Sequence, residues 1–231
     1  MTSVDLAAGT TVDDSSRPAV DLSDVVAVIG GFPVLAGVDL RVERGEIVLF
    51  HGPNGAGKTS LLRLCAGLLP LERGTGTILG MDVVDHRDEL RRRVGLVAHA
   101  NGLYQDLTVA ENVRFWASMV DADATEVDVA LDRMGLRGRL ADAPIARCSA
   151  GQRRRTALAC LVVRRAELWL LDEPHAALDA AARDQLDEII RAAAASGATV
   201  LVASHELERT MALATRHVEV RGGQIVELHD G

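Results

Sequence analysis

Lysine is almost absent from this chain. Of 25 basic residues one is lysine, Lys58, and the other 24 are arginine. Cysteine is scarce as well. Cys65, Cys148 and Cys160 are odd in number and lack C-x-x-C spacing, which argues against a disulfide framework or a zinc site and fits a reducing cytoplasm. No apolar run approaches the ~20 residues that span a bilayer. The longest, around 157–163, stops at Arg164-Arg165, so a membrane role would need another chain to supply the membrane part. Positive charge is not in excess either. The net charge is −8, which excludes a broad nucleic-acid-binding face. Arg91-Arg92-Arg93 and Arg153-Arg154-Arg155 read as solvated helix faces. The start of the chain has neither a basic opening nor an apolar stretch, so it is not a signal peptide. Its Asp, Ser, Thr and Gly content predicts a disordered tail over residues 1–19.

What is present is a full core. The chain has 231 residues and is 48% apolar, enough for one domain or two tightly joined subdomains. Its single lysine lies in Gly52-Pro53-Asn54-Gly55-Ala56-Gly57-Lys58-Thr59, followed by Ser60. This fits G-x-x-x-x-G-K-[ST], a loop that cradles nucleotide phosphates. A compact ammonium on a flexible stem reaches the β- and γ-phosphates, where a wide guanidinium would not fit. The apolar run Ile47-Val48-Leu49-Phe50 leads into the loop, and Ser60 to Ala66 reads as a helix closed by Gly67. Strand, glycine-rich loop and helix are the context the motif requires, and the helix N-terminus itself attracts anions.

Further strands are expected at 25–29, 38–42, 94–98, 168–171 and 199–203. Hairpins are expected over 72–84, with Gly74, Gly76 and Gly80 as turn residues, and over 218–228. From about 107 to 140 the periodicity is helical. Ala110, Val113, Ala117 and Val120 form one stripe, and Val127, Leu131 and Met134 another. Another helix is expected over 180–195. Strands alternating with helices indicate an α/β fold with a parallel sheet. The division reads as a core at 20–98 and 166–231 with an inserted helical subdomain at 99–165.

Two carboxylates end the apolar strand Leu168-Trp169-Leu170-Leu171-Asp172-Glu173. In P-loop ATPases the first acid holds Mg²⁺ beside the loop hydroxyl, here Thr59. The second, Glu173, would polarise the attacking water. An isolated Asp-Glu pair would be a charged strand end; its place downstream of the loop favours the catalytic reading. Ser149-Ala150-Gly151-Gln152 opens a helix shortly before that strand. Alone it is an ordinary helix cap. Between the two other motifs it resembles the L-S-G-G-Q signature of the ATP-binding cassette family. Ala177-Leu178-Asp179 resembles that family's D-loop, and Ala203-Ser204-His205-Glu206 its switch segment. Leu107 to Val113 resembles the stretch after its Q-loop. The resemblance covers about residues 20–228.

The resemblance implies a P-loop NTPase with a RecA-like core, an antiparallel β subdomain and the helical insertion. It implies ATP and Mg²⁺ as ligands, with His205 at the γ-phosphate. It also implies head-to-tail pairing with a second ATPase subunit, expected to be a homodimer, so that residues 149–152 cap the partner's nucleotide and Asp179 crosses the interface. A separate membrane permease and a place on the cytoplasmic face of the membrane follow.

The sequence departs from the family pattern at several points. His99 stands where the Q-loop glutamine belongs, as a candidate metal or water contact. No aromatic stands at Ile29 to stack on adenine; Phe32 is near enough to substitute, or the base packs on aliphatic groups. Cys148 and Ala150 replace the signature's Leu and first Gly. With His175 after Asp172-Glu173-Pro174, these features resemble the ATPase subunits of haem exporters in cytochrome c maturation. The alternatives are a lipid or drug exporter and a soluble module without a transporter. No heptad run separates the motifs, as a repair ATPase would need, and there is one cassette, not the pair usual in translation factors.

Overall fold

The computed structural model describes residues 17–98 and 102–230. Two sheets organise the molecule. In the first, β1 (Val20–Ile29) and β2 (Phe32–Val42) form an antiparallel hairpin, and β1 also pairs with β4 (Arg73–Ile78), which pairs with β5 (Met81–Asp82). The order is β2-β1-β4-β5. The hairpin turns at Gly30-Gly31, whose φ of 59° and 84° suits a residue without Cβ.

The second sheet has the order β10-β9-β3-β8-β7-β6. Its parallel centre is β3 (Ile47–His51), β8 (Thr199–Ala203), β7 (Leu168–Asp172) and β6 (Val94–Val97). Strand β9 (Arg216–Arg221) runs parallel to β3, and β10 (Gln224–Asp230) returns antiparallel. The central strands are apolar throughout because both faces are covered. Alternate residues divide between two cores. Val48, Phe50, Leu168, Leu170 and Leu201 pack with α1 (Lys58–Cys65) and the first sheet. Ile47, Trp169, Leu171, Val200 and Val202 pack with the helices on the other side.

Those helices are α3 (Val109–Ser118), α4 (Ala124–Arg133), α5 (Ala150–Val163) and α6 (Ala180–Ala195). Capping boxes start three of them: Thr108 with Glu111, Asp123 with Glu126, and Ser149 with Gln152. Each satisfies two amides that would otherwise lack partners. Two short helices, α2 (Arg87–Arg93) and α7 (Leu207–Leu213), were not anticipated; seven residues are too few for a clear apolar period. Among the described residues no helix is long and apolar enough to cross a membrane.

Three expectations need correction. Gly74 and Gly76 lie inside β4, and of the three glycines only Gly80 is in the turn. A Cβ on Gly74 would meet the Ser23 carbonyl at 2.5 Å, and one on Gly76 would meet Leu22 Cδ2 at 2.7 Å. These glycines allow close approach within the sheet. Order also begins before residue 20: Ala19 is fully buried and bonds Val42 and Leu79 through its backbone. Residues 1–16 lie outside the described part. Third, the arginine runs are not simply solvated faces. Arg154 is 4% exposed and donates to the Ala98 carbonyl at 3.0 Å. Arg153 bonds the Cys148 carbonyl, Arg155 the Met134 carbonyl, and Arg93 the Glu167 carboxylate.

The parallel sheet leaves no room at β6, where a Cβ on Gly95 would collide with Leu161 and meet Ala166 Cβ at 3.2 Å. Gly95→Val is expected to lower the unfolding free energy by about 1–3 kcal/mol, measured as an earlier urea midpoint at unchanged slope.

Candidate functional site

The site lies at the C-terminal ends of β3 and β7. Strand β3 ends at His51 and the chain turns through a loop whose glycines are required. Gly52, Gly55 and Gly57 have φ of 135°, 78° and 112°. A Cβ on Gly52 would collide with the Val220 carbonyl, and one on Gly57 would meet the Val34 carbonyl at 2.9 Å. No side chain caps α1, whose N-cap is Gly57. Its first amides are therefore available to an anion. Lys58 is 9% exposed, and its ammonium folds back on the loop, donating to the Gly52 carbonyl at 2.7 Å and the Pro53 carbonyl at 3.1 Å. A cavity of about 400 Å³ opens over this loop, lined by Val34, residues 54–60, Asp172 and Glu173.

The expected carboxylates are there. Thr59 Oγ1 donates to Asp172 Oδ2 at 2.9 Å, across 113 residues of sequence. Glu173 takes a left-handed backbone, φ 49°. For a non-glycine residue that costs about 1–3 kcal/mol and recurs at functional sites. Its amide donates to the Ala203 carbonyl at 2.8 Å, pinning β7 to β8 at that point. Its carboxylate bonds His205 Nδ1 at 2.9 Å, and Ser204 Oγ lies 3.4 Å from its other oxygen. The sequence assigned Glu173 and His205 separate roles; the fold puts them in contact. The hydrogen bond that His205 donates to Glu173, reinforced by the carboxylate's charge, holds the imidazole above its ordinary pKa, against opposing effects of burial and Lys58.

The signature residues are elsewhere. Ser149 caps α5, accepting from the Gln152 amide at 3.2 Å, while Gln152 Oε1 accepts from the Ser149 amide at 2.8 Å. None of residues 149–152 lines that cavity of this chain. Ala150 has room for its methyl, but Gly151 does not: a Cβ there would meet the Ala177 carbonyl at 2.7 Å. Ala177 is itself left-handed, φ 63°. Asp179 caps α6 by accepting from the Ala182 amide at 2.9 Å. His99 lies outside the described residues. Phe32 is 76% exposed at the start of β2, and Ile29 is 45% exposed opposite it. Neither lines the cavity, though Val34 of the same strand does.

Sequence reasoning missed Arg154. Burial holds its pKa below the ordinary value, and the charges of Asp172 and Glu173 offset only part of that lowering. A buried guanidinium on the signature helix thus serves as a cation behind the carboxylates. Its sequence signal, one arginine in a run of three, gave no sign of burial. A second cavity of about 650 Å³ separates the sheet from the helical region. Leu68, Arg91, Leu103, Trp116, Met119 and Arg164 help to line it, with the Arg164 guanidinium 4.5 Å over the Trp116 ring.

The family model described as ABC transporter matches residues 35–176. The chain belongs to the ABC transporter family. This ABC ATPase is 41% identical over 210 residues to the cytochrome c biogenesis ATP-binding export protein CcmA of Paraburkholderia xenovorans (strain LB400), covering 83% of this chain and 92% of that protein. It is 39% identical to the CcmA protein of Bradyrhizobium diazoefficiens, covering 87% and 96%. Among solved structures, an ATP binding subunit of an ABC transporter matches with TM-score 0.84 and 26% identity, covering 92% of this chain and 90% of that one. A dimeric ATP-binding cassette in a post-hydrolysis state, bound to ADP and Pi, matches with TM-score 0.81 and 25% identity, covering 91% and 98%.

Two outcomes follow from this geometry. In an NMR titration without nucleotide, His205 is expected to hold its proton above the ordinary pKa of ~6.5, and Glu173→Gln to bring it back down. Because the folded pKa is the higher one, stability from this pair is present at acidic pH and lost as pH rises through the His205 titration. Gly151→Ala is expected to cut ATP turnover at least about tenfold by displacing the 177 loop, with circular dichroism unchanged.

Proposed function

We propose that this ABC ATPase powers an export step in cytochrome c biogenesis, with haem as cargo, through a separate membrane permease. The observation that carries the reading is the 41% and 39% identity to CcmA proteins across 83% and 87% of the chain. No observation favours a lipid or drug exporter or a soluble module.

In this reading residues 52–60 bind and orient the phosphates. Lys58 exchanges its two carbonyl partners for phosphate oxygens, a change its flexible stem allows. Phe32 or the aliphatic wall at Val34 receives the adenine. The Thr59 hydroxyl and Asp172 carboxylate form a hard-oxygen pair that suits Mg²⁺, with His99 as a further candidate contact. When bound, the ion would neutralise phosphate charge. Glu173 orients the attacking water and accepts its proton. His205, hydrogen-bonded to Glu173, donates towards the γ-phosphate.

The site is completed in trans. Ser149, Ala150, Gly151 and Gln152 of a second copy would cap the nucleotide, and Asp179 would lie at the interface of a head-to-tail homodimer. The permease would dock in the groove near residues 99–109; Gly102 and Leu103 of this stretch line the 650 Å³ cavity. That docking would hold the subunit peripherally on the cytoplasmic face of the membrane.

Glu173→Gln is expected to retain ATP binding while turnover falls by about 10²-fold or more, and to accumulate as an ATP-dependent dimer on gel filtration. Tagged Glu173→Gln protein purified from host membranes with ATP should bring down a small polytopic permease, identified by mass spectrometry. Wild-type turnover in the variant would remove Glu173 from its role. Capture of ribosomal or DNA-repair proteins alone would remove the transporter.

A further inference from the structure

The two reacting side chains sit on separate segments, one starting at Glu173 and the other at His205. A single buried carboxylate holds both segments. Asp187, 6% exposed on α6, lies 2.7 Å from His175 Nε2 through one oxygen and accepts from Arg209 at 2.6 Å through the other. His175 is 1% exposed and follows Glu173 by two positions. Arg209 belongs to α7, just after His205. The second arm of Arg209 reaches Asp184 at 2.8 Å. One turn nearer the start of α6, Arg183 repeats the arrangement, donating to the Leu178 carbonyl at 3.0 Å and to Glu206 at 2.8 Å. Residues four apart share a helix face, so one face of α6 grips both segments twice.

The chemistry of the inner grip is specific. Burial pushes the Asp187 carboxyl up, but the bonds and charges of His175 and Arg209 outweigh it and hold the group below its ordinary pKa. The carboxylate is thus an acceptor, so His175 presents its proton on Nε2. Its Nδ1 is buried without a partner. A ring held by one bond in an apolar setting is oriented by that bond. The same short turn is tied at 2.8 Å to β8 through the Glu173 amide and ends at Asp179, which caps α6.

We propose that His175, Asp187 and Arg209 form a positioning unit for ATP hydrolysis, which sets the Glu173 carboxylate against the His205 imidazole and ties that pair to the D-loop. None of the three lines the phosphate cavity, so the unit acts through Glu173 and His205 and not on nucleotide directly. The inference rests on the hydrolytic role proposed above for those two residues.

The test is steady-state ATP hydrolysis by the purified full chain, with thermal midpoints measured alongside. Arg209→Gln and His175→Phe are expected to lower kcat about tenfold to a hundredfold while KM stays within about twofold. Arg209→Lys and His175→Gln keep a donor to Asp187 and are expected to recover most of the rate. Unchanged kcat in Arg209→Gln and His175→Phe would overturn the proposal. So would losses that merely track thermal midpoint in conservative and non-conservative variants alike. If those two variants do not fold, Asp187→Asn, which keeps the shape and removes the charge that both partners face, takes their place: lower kcat at constant KM supports the unit, and unchanged kcat overturns it. A wild-type chain without ATP turnover would instead sink the hydrolytic reading itself.

Discussion

The phosphate loop is held by backbone packed against backbone, and the rest of the site depends on that contact. The Gly223 amide donates to the Ala56 carbonyl at 2.7 Å, and the Gly223 carbonyl accepts from Ala36 at 2.8 Å. A Cβ on Gly57 or Gly223 would meet the same Val34 carbonyl at 2.9 Å. Strand β2 of one sheet and the β9–β10 turn of the other, bonded to each other, therefore both pack on the loop. The distant C-terminal hairpin helps to build the proposed phosphate site for this reason. A loop clamped this way needs no reorganisation to present its amides, which is what makes fixed dipoles effective towards phosphate.

Electrostatics then decides where charge can stand. The chain carries a net charge of −8, yet the site must accept a polyanion. Lys58 supplies positive charge in the loop, and the uncapped start of α1 adds its dipole. Arg154 supplies a further cation from behind, on the helix that carries the signature. Asp172 and Glu173 are thereby tolerated side by side. Without a cation in the protein, two carboxylates facing phosphate would oppose binding. The same arginine bonds Ala98, the last described residue before His99. It thus ties the signature helix to the end of β6, within electrostatic reach of the carboxylates.

Much of this was legible in sequence. The phosphate loop, the carboxylate strand and the signature each combine a motif with an element of clear period, so local pattern and chemistry agree. Strands β7 and β8 and helix α6 lie where the apolar runs placed them. The rest depended on contacts that no local pattern encodes. Gly74 and Gly76 look like turn residues because glycine breaks strands, but here glycine permits close packing of one strand on another. Arg154 looks solvated because its neighbours are arginines; burial came from the fold, through a carbonyl 56 residues away in sequence. The bond between Glu173, just after β7, and His205, just after β8, spans α6 and β8 in sequence, and its existence depends on β7 and β8 being adjacent in the sheet.

The geometry of the signature bears on why one copy would be insufficient. Ser149 and Gln152 satisfy each other in a capping box, and neither faces the cavity of its own chain. In the proposed dimer their remaining donors, the Ser149 hydroxyl and the Gln152 side-chain NH2, and the amides of α5's first turn would meet the partner's nucleotide. The backbone already favours that use: Gly151 lies flat on the Ala177 carbonyl, so the signature and the turn leading to Asp179 share one surface. That turn starts at Glu173. Any displacement of the signature by a partner's phosphate would thus be felt, within six residues of chain from Glu173 to Asp179, at this chain's own proposed base. Coupling between two sites needs an element that both can bias, and the 173–179 turn is such an element.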